Sequence, residues 1–222
     1  MEMTEIILTA DGSHTLFVPE LNEHYHSVHG AIQESEFIFI NNGFVACKAD
    51  PVNILEIGFG TGLNAFLTAL KSCAGTRKVH YTSVEKYPLP EEITDSLNYH
   101  IFKGEDTRKI FYNLHSSPWN SEVTICDNFI LKKIESDITN SFPDGSFDLI
   151  YFDAFGPDKQ PEMWNSEIFK KIADSTREDG VFITYSAKGE VKRKLRSNGF
   201  IVTMLPGPPG KRQIIRADKK AN

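Results

Sequence analysis

Residues 53–64, NILEIGFGTGLN, constrain this chain more than any other stretch. Asn53, Ile54, Leu55 and Ile57 read as a buried strand, and residues 63–70 have the apolar spacing of a helix. Between the two, Glu56, Gly58, Gly60 and Gly62 form E-x-G-x-G-x-G. A strand that passes through glycines into a helix is how an open α/β sheet presents a ligand site at the carboxyl ends of its strands. The glycines permit a sharp turn and a close approach of ligand to backbone, which a Cβ would block.

The ligand is not set by the glycines alone. The dinucleotide fingerprint is G-x-G-x-x-G, and the spacing here is G-x-G-x-G. A carboxylate at Glu56, two residues before the first glycine, suits a cationic ligand and repels a phosphate. The loop resembles that of class I S-adenosylmethionine (SAM) methyltransferases, which clasps the methionine end of the cofactor. A nucleotide loop of another kind and a tight structural turn remain the competing readings.

The 222 residues suffice for one sizeable α/β domain and an extension, divided here as 1–45 for an N-terminal extension, 46–218 for the catalytic domain and 219–222 for a tail. The net charge of −6 excludes a uniformly basic nucleic-acid binder. A local basic face is still present in Lys188, Lys192, Arg193, Lys194, Arg196, Lys211, Arg212 and Arg216, with a merely solvated helix face as the alternative. The apolar runs are far shorter than a membrane span, and the first residues lack the pattern of a secretory signal. Cys47, Cys73 and Cys126 show no metal or redox spacing and read as reduced thiols in a cytoplasmic protein.

In chain order, residues 5–9 and 14–18 read as a hairpin turning at Asp11-Gly12. His24, His26 and His29 follow, but without a partner at a recognised ligand spacing, so no metal is expected. Residues 37–40 read as a short apolar strand and Asn42-Gly43 as a turn. Residues 78–84 form the second strand of the sheet, and Glu85 ends it where a carboxylate takes a ribose diol; a surface glutamate beside Lys86 is the alternative. Residues 88–113 read as broken helices, and residues 122–126 and 129–134 as an inserted hairpin. Asp137 follows a strand end, where it accepts from an adenine amino group or caps a helix. Residues 147–155, FDLIYFDAF, read as a central strand ending at Asp153, within reach of the site. An amphipathic helix is expected from Met163-Trp164 to about Arg177, then a strand over 180–185, a basic helix over 188–198 and a closing strand pair. Phe155, Tyr151 and Trp164 are candidates to stack on a base, with core packing preferred for Tyr151.

Several blocks together resemble the methyltransferase half of the bacterial bifunctional tRNA-modifying MnmC family: YHSVHGAIQESEFIFINNGF, NILEIGFGTGLN, YTSVEKYPL, FDLIYFDAFGPDKQPEMW, and the run from GVFITYSAKGEVKRKLRSNGF to GPPGKRQII. The resemblance implies a Rossmann-like, seven-stranded α/β sheet that binds SAM. It also implies N-methylation of 5-aminomethyl-2-thiouridine at the tRNA wobble position. It assigns Glu56, Gly58, Gly60 and Gly62 to the cofactor loop, Glu85 to the ribose, Asp137 to the adenine and Asp153 to catalysis, with Glu34 near the site. Phe155 and Trp164 are expected at the base, and Lys192, Arg193, Lys211 and Arg212 at tRNA phosphates. The sequence has no second dinucleotide loop, so a stand-alone methyltransferase is expected, with a separate FAD-dependent oxidoreductase or another enzyme making the aminomethyl group. A methyltransferase acting on a small amine and an aminopropyltransferase of the spermidine-synthase type are the rival readings.

Overall fold

The structure is a computed structural model that describes residues 4–220. The outermost parts of the expected extension and tail, residues 1–3 and 221–222, lie outside the described residues. Strands β1 (Glu5–Leu8), β2 (His14–Val18) and β3 (Glu23–His24) form a small antiparallel sheet of their own. Helix α1 (Ala31–Ser35) then runs directly into a π-helical segment, Glu36–Phe44.

Strand β4 (Val52–Ile57) opens the main sheet and is followed by α2 (Leu63–Cys73), β5 (Val79–Glu85), α3 (Glu91–Thr94) and α4 (Arg108–Ser116). Then come β6 (Glu122–Cys126), β7 (Phe129–Glu135), β8 (Phe147–Phe152), α5 (Ser166–Ser175), β9 (Thr176–Thr184), α6 (Gly189–Ser197), β10 (Phe200–Pro206) and β11 (Gln213–Lys219). The sheet has eight strands in the order β10-β11-β9-β8-β4-β5-β7-β6. Strands β7, β5, β4, β8 and β9 are parallel, while β6, β11 and β10 pair antiparallel at the two edges. The chain leaves β4 toward β5 on one side and β8 toward β9 on the other. The crevice at the carboxyl ends of β4 and β8 is therefore the switch point where such sheets bind ligands.

All six residues of β8 are buried, because helices cover both faces. One core packs α2, α4 and the π-helical segment against the sheet through Ile38, Phe66, Phe111 and Tyr151. The other packs α5 and α6 through Ile168, Phe169 and Leu195 against Phe152 and Phe182.

Five expectations are corrected. Residues 37–40 are helical: Ile38, Phe39 and Ile40 are buried, Val45 N–H donates to the Ile40 carbonyl at 2.9 Å, and Asn42 Nδ2 donates to the Phe37 carbonyl at 2.7 Å. A short apolar run has no periodicity that separates strand from helix. The 122–134 hairpin is not an insertion, since β7 is paired along its length with β5 in the main sheet. That makes eight strands rather than seven. Met163-Trp164 lie in a separate 3-10 turn, and α5 begins afterwards with Asn165 Oδ1 accepting from Ile168 N–H at 2.9 Å. Lys219 belongs to β11 rather than to a tail.

The cysteines are also not all thiols. Cys73 and Cys126, 53 residues apart in sequence, form a disulfide that ties the end of α2 to edge strand β6, and Cys47 is free and buried. Sequence spacing alone does not report that parallel packing brings two distant elements together.

Candidate functional site

A cavity of about 550 Å³ opens at the carboxyl ends of β4, β5, β7 and β8. Its floor is the glycine turn after β4. Gly58 has φ +95°, and a Cβ there would come within 2.8 Å of the Asp153 carbonyl oxygen. Gly60 has φ +48°, and a Cβ would meet the Tyr25 ring at 2.9 Å. Both positions need a residue without a side chain, because the backbone is left-handed and a neighbour is already in contact. Gly62 does not line the cavity; it precedes α2, packed against His115.

Glu85 lines the cavity with its carboxylate pre-oriented. Its Oε2 accepts from Gly60 N–H at 3.0 Å and its Oε1 from Tyr87 N–H at 2.8 Å. Burial raises its pKa, and those backbone donors oppose the rise. Asp137 lines the same end. Its Oδ1 accepts from Thr139 Oγ1 at 2.6 Å and Thr139 N–H at 2.9 Å, and its Oδ2 pairs with Lys86 at 2.9 Å. The Thr139 hydroxyl, then Lys86, hold its pKa down to about 2. Asp137 thus stabilises the turn after β7 and faces the cavity at once.

Asp153, directly after β8, reaches the cavity from the opposite side. Its Oδ2 accepts from Asn64 Nδ2 at 2.8 Å, and its backbone N–H donates to the Ile57 carbonyl at 3.0 Å. Burial raises its pKa well above the usual range; the Asn64 bond opposes this, and Glu34 and Glu56 add to it. Glu34 Oε2 accepts from Ser27 N–H at 2.8 Å, and its Oε1 pairs with Lys211 at 3.0 Å. The Lys211 ammonium also lies 4.9 Å from the centroid of the Tyr185 ring. Phe155 stands edge-on to Tyr25, 5.0 Å between centroids, and both line the cavity.

The structure does not bring every expected residue to the cavity. Glu56 is fully buried within the sheet, accepting from Ser83 Oγ at 2.6 Å, and is absent from the cavity lining. Burial pushes its pKa up to about 8, so near neutrality it is largely protonated and is not the fixed anion the sequence argument assumed. Trp164 is buried in the second core and donates from Nε1 to the Phe155 carbonyl at 2.7 Å; it positions Phe155 rather than stacking on a ligand. Lys211 turns inward to Glu34 instead of outward to solvent. Lys192, Arg193 and Arg212 lie outside the cavity on the surface.

Sequence reasoning gave no role to Tyr25, Asn64 and Tyr185 and weighed His26 only as a metal ligand. His26 is buried, and its Nε2 sits 2.7 Å from Thr61 Oγ1, so it fastens the N-terminal segment to the glycine loop. Burial takes its pKa down to about 4, which keeps the imidazole neutral. Asn64 was visible as the polar residue in the first turn of an otherwise apolar helix. Tyr185 Oη donates to the Ala154 carbonyl at 2.9 Å, a contact between distant segments that no local pattern signals.

The family described as S-adenosyl-L-methionine-dependent methyltransferase matches residues 108–220. A curated bifunctional protein from Campylobacter hominis, named for tRNA 5-methylaminomethyl-2-thiouridine biosynthesis (MnmC), is 32% identical over 209 residues, covering 91% of this chain and 31% of that protein. The protein of the same name from Pseudoalteromonas atlantica is 29% identical, covering 97% of this chain and 33% of its own length. The chain thus spans about a third of the length of these curated relatives. The crystal structure of MNMC2 from Aquifex aeolicus superposes with a TM-score of 0.80 at 29% identity, covering all of this chain and 72% of that one. Spermidine synthase from Thermotoga maritima shares the fold, with a TM-score of 0.61 at 15% identity. This chain belongs to the S-adenosyl-L-methionine-dependent methyltransferase family.

Proposed function

We propose that the protein transfers a methyl group to the exocyclic amine of 5-aminomethyl-2-thiouridine at the tRNA wobble position, giving 5-methylaminomethyl-2-thiouridine. The observation that carries this reading is Asp153. Its carboxyl, anchored by Asn64, stands across the cavity from Glu85 and beside an aromatic wall of Tyr25 and Phe155. The names of the relatives, covering this chain nearly end to end, support the choice of substrate.

The residues present fit SAM. The open backbone at Gly58 and Gly60 accepts a ligand at close range, Glu85 offers a carboxylate for a ribose diol, and Asp137 and Ile138 wall the far end for adenine. Bound there, SAM would supply a sulfonium methyl to the amine nitrogen and leave as the neutral thioether, and the methylated nitrogen would have one proton to give up. Asp153 holds the amine in line and takes that proton or passes it to water. Its raised pKa makes it a better base than an ordinary aspartate. Tyr25 and Phe155 present ring surface on which a splayed-out uracil stacks.

Lys192, Arg193 and Arg212 are the surface cations proposed to meet tRNA phosphates, and their contacts weaken tRNA binding as salt rises. Lys188 and Lys194 are engaged within the protein, by Asp158 and by the Trp164 carbonyl, and contribute less. An FAD-dependent oxidoreductase activity, or another enzyme, is the proposed source of the aminomethyl group. Among the described residues, no helix is long and apolar enough to cross a membrane.

The test uses labelled SAM with two tRNA pools, one carrying 5-aminomethyl-2-thiouridine and one lacking the aminomethyl group. Transfer to the first pool alone is expected. No transfer to either, with SAM still bound, would move the reading to a small-molecule amine, which the carboxyl groups of Glu34 and Asp153 would also receive.

A further inference from the structure

An amine attacks a methyl group only through its lone pair, so the site must receive it unprotonated. A primary alkylamine is mostly protonated near neutral pH, and two carboxyls face this end of the cavity, Asp153 and Glu34. Carboxylates favour the ammonium form, which binds well and cannot react. A third charge lies among them. The Lys211 ammonium sits 3.0 Å from Glu34 Oε1 and over the face of Tyr185, in the cavity wall rather than on the surface.

We propose that Lys211 keeps the acceptor amine in its neutral, nucleophilic form by cancelling the charge of Glu34 and setting a positive charge beside the acceptor subsite. This rests on the amine methylation proposed above and assigns a residue that selects the protonation state of its substrate. The surroundings allow it. Glu34 faces Lys211 from α1 and Asp153 faces the same space from the end of β8. From the N-terminal segment, His26 is neutral and Glu23, which also lines the cavity, adds a negative charge. Tyr185, raised by burial, stays a phenol. Asp158 and Lys188 pair with each other at the mouth. Lys211 already acts electrostatically on this group of residues, opposing the rise at Asp153 and adding to the fall at His26. The loop that carries it is held in place: a Cβ on Gly210 would clash with the ring of His29, so residues 207–211 dock directly on the N-terminal segment.

The experiment measures kcat and KM against pH for the full chain with tRNA carrying 5-aminomethyl-2-thiouridine, comparing wild type, Lys211→Met, Lys211→Arg and Glu34→Gln. For Lys211→Met, the acid limb of kcat should move up by about one pH unit, roughly a tenfold loss at a fixed acidic pH, while the high-pH plateau stays within about twofold. Its KM at acidic pH should fall, because the ammonium form is now held by two unbalanced carboxyls. Lys211→Arg should restore the wild-type limb. Glu34→Gln, which keeps an acceptor for Ser27 N–H, should move the limb the other way. A uniform loss at every pH with KM unchanged or higher, or limbs that move together in both variants, would overturn the proposal. A wild type that transfers no methyl to this pool at any pH would instead overturn the amine reading on which it rests.

Discussion

Strand β8 carries an aspartate at each end, and the two are treated in opposite ways. Asp148, near the amino end, has its charge fully matched. Its Oδ2 accepts from Asn53 N–H at 2.8 Å and Asn53 Nδ2 at 3.0 Å, and Arg177 Nη1 reaches both carboxylate oxygens at 3.0 Å. These contacts bind β8 to β4 and β9 and complete an architectural joint. Asp153, beyond the carboxyl end, has one side-chain donor, Asn64, and no cation paired with it among the described residues. Burial leaves it reluctant to ionise. The same residue type on the same strand is satisfied at one end and left short of partners at the other. The shortfall lies on the cavity, where a ligand supplies what the protein does not.

Exchanging each aspartate for its amide tests that contrast. Asp153→Asn should lower single-turnover methyl transfer by about 10²–10³-fold or more, since it removes the proton acceptor at the reacting nitrogen. SAM affinity by calorimetry should stay within a few-fold of wild type. Asp148→Asn should do the reverse. It should cost about 1–3 kcal/mol in urea denaturation, toward the low end because the Arg177 side chain is 46% exposed and can re-solvate, with turnover per folded molecule kept. A kinetically dead Asp148→Asn with unchanged stability would erase the distinction. Glu85→Gln is the intermediate case. The amide keeps an acceptor for only one of the two backbone N–H groups that hold the carboxylate, so a modest loss of stability is expected, while the loss of charge toward a diol should weaken SAM binding about tenfold.

The carboxyl end of the sheet was legible in the sequence because its signals are local. The run from strand through Gly58 and Gly60 to helix, the acid ending β5 and the acid ending β8 each sit a fixed number of residues from an apolar strand, and the parallel topology brings all three to one crevice. What stayed hidden depends on side-chain direction and on contacts between distant segments. Lys211 and Lys192 look alike as basic residues, yet one points into the cavity and the other does not. Trp164 lies in the family-like block beside Phe155 but turns into the core, with only its Nε1 reaching back. Glu56 precedes the glycines as a cofactor-loop acid would, but strand alternation sends it into the protein interior. The Cys73–Cys126 bridge and the helical course of residues 36–44 are likewise products of packing.

Glu56 supplies the smallest effect and the one whose sign is easiest to mistake. Its folded pKa, about 8 against an ordinary 4.5, is raised by burial, so the native state binds a proton that the unfolded chain releases above pH 4.5. A carboxyl raised in this way stabilises less as pH climbs, the opposite of Asp137, whose depressed pKa contributes at neutral pH and is lost in acid. The decline ends once the pH has passed through 8, when the folded protein also loses the proton. Wild type alone cannot isolate it, because Lys133, held down to about 8 by burial, gives up its proton in the same range, and stability then gains with pH. The difference between Glu56→Gln and wild type removes that term. Urea midpoints at pH 7 and pH 9 should show the variant gaining about 1 kcal/mol relative to wild type across the interval. A difference that stays flat would mean that Glu56 is ionised throughout. The anion inferred from the sequence would then be present beneath the glycine loop, adding its charge to the carboxyl groups that line the cavity.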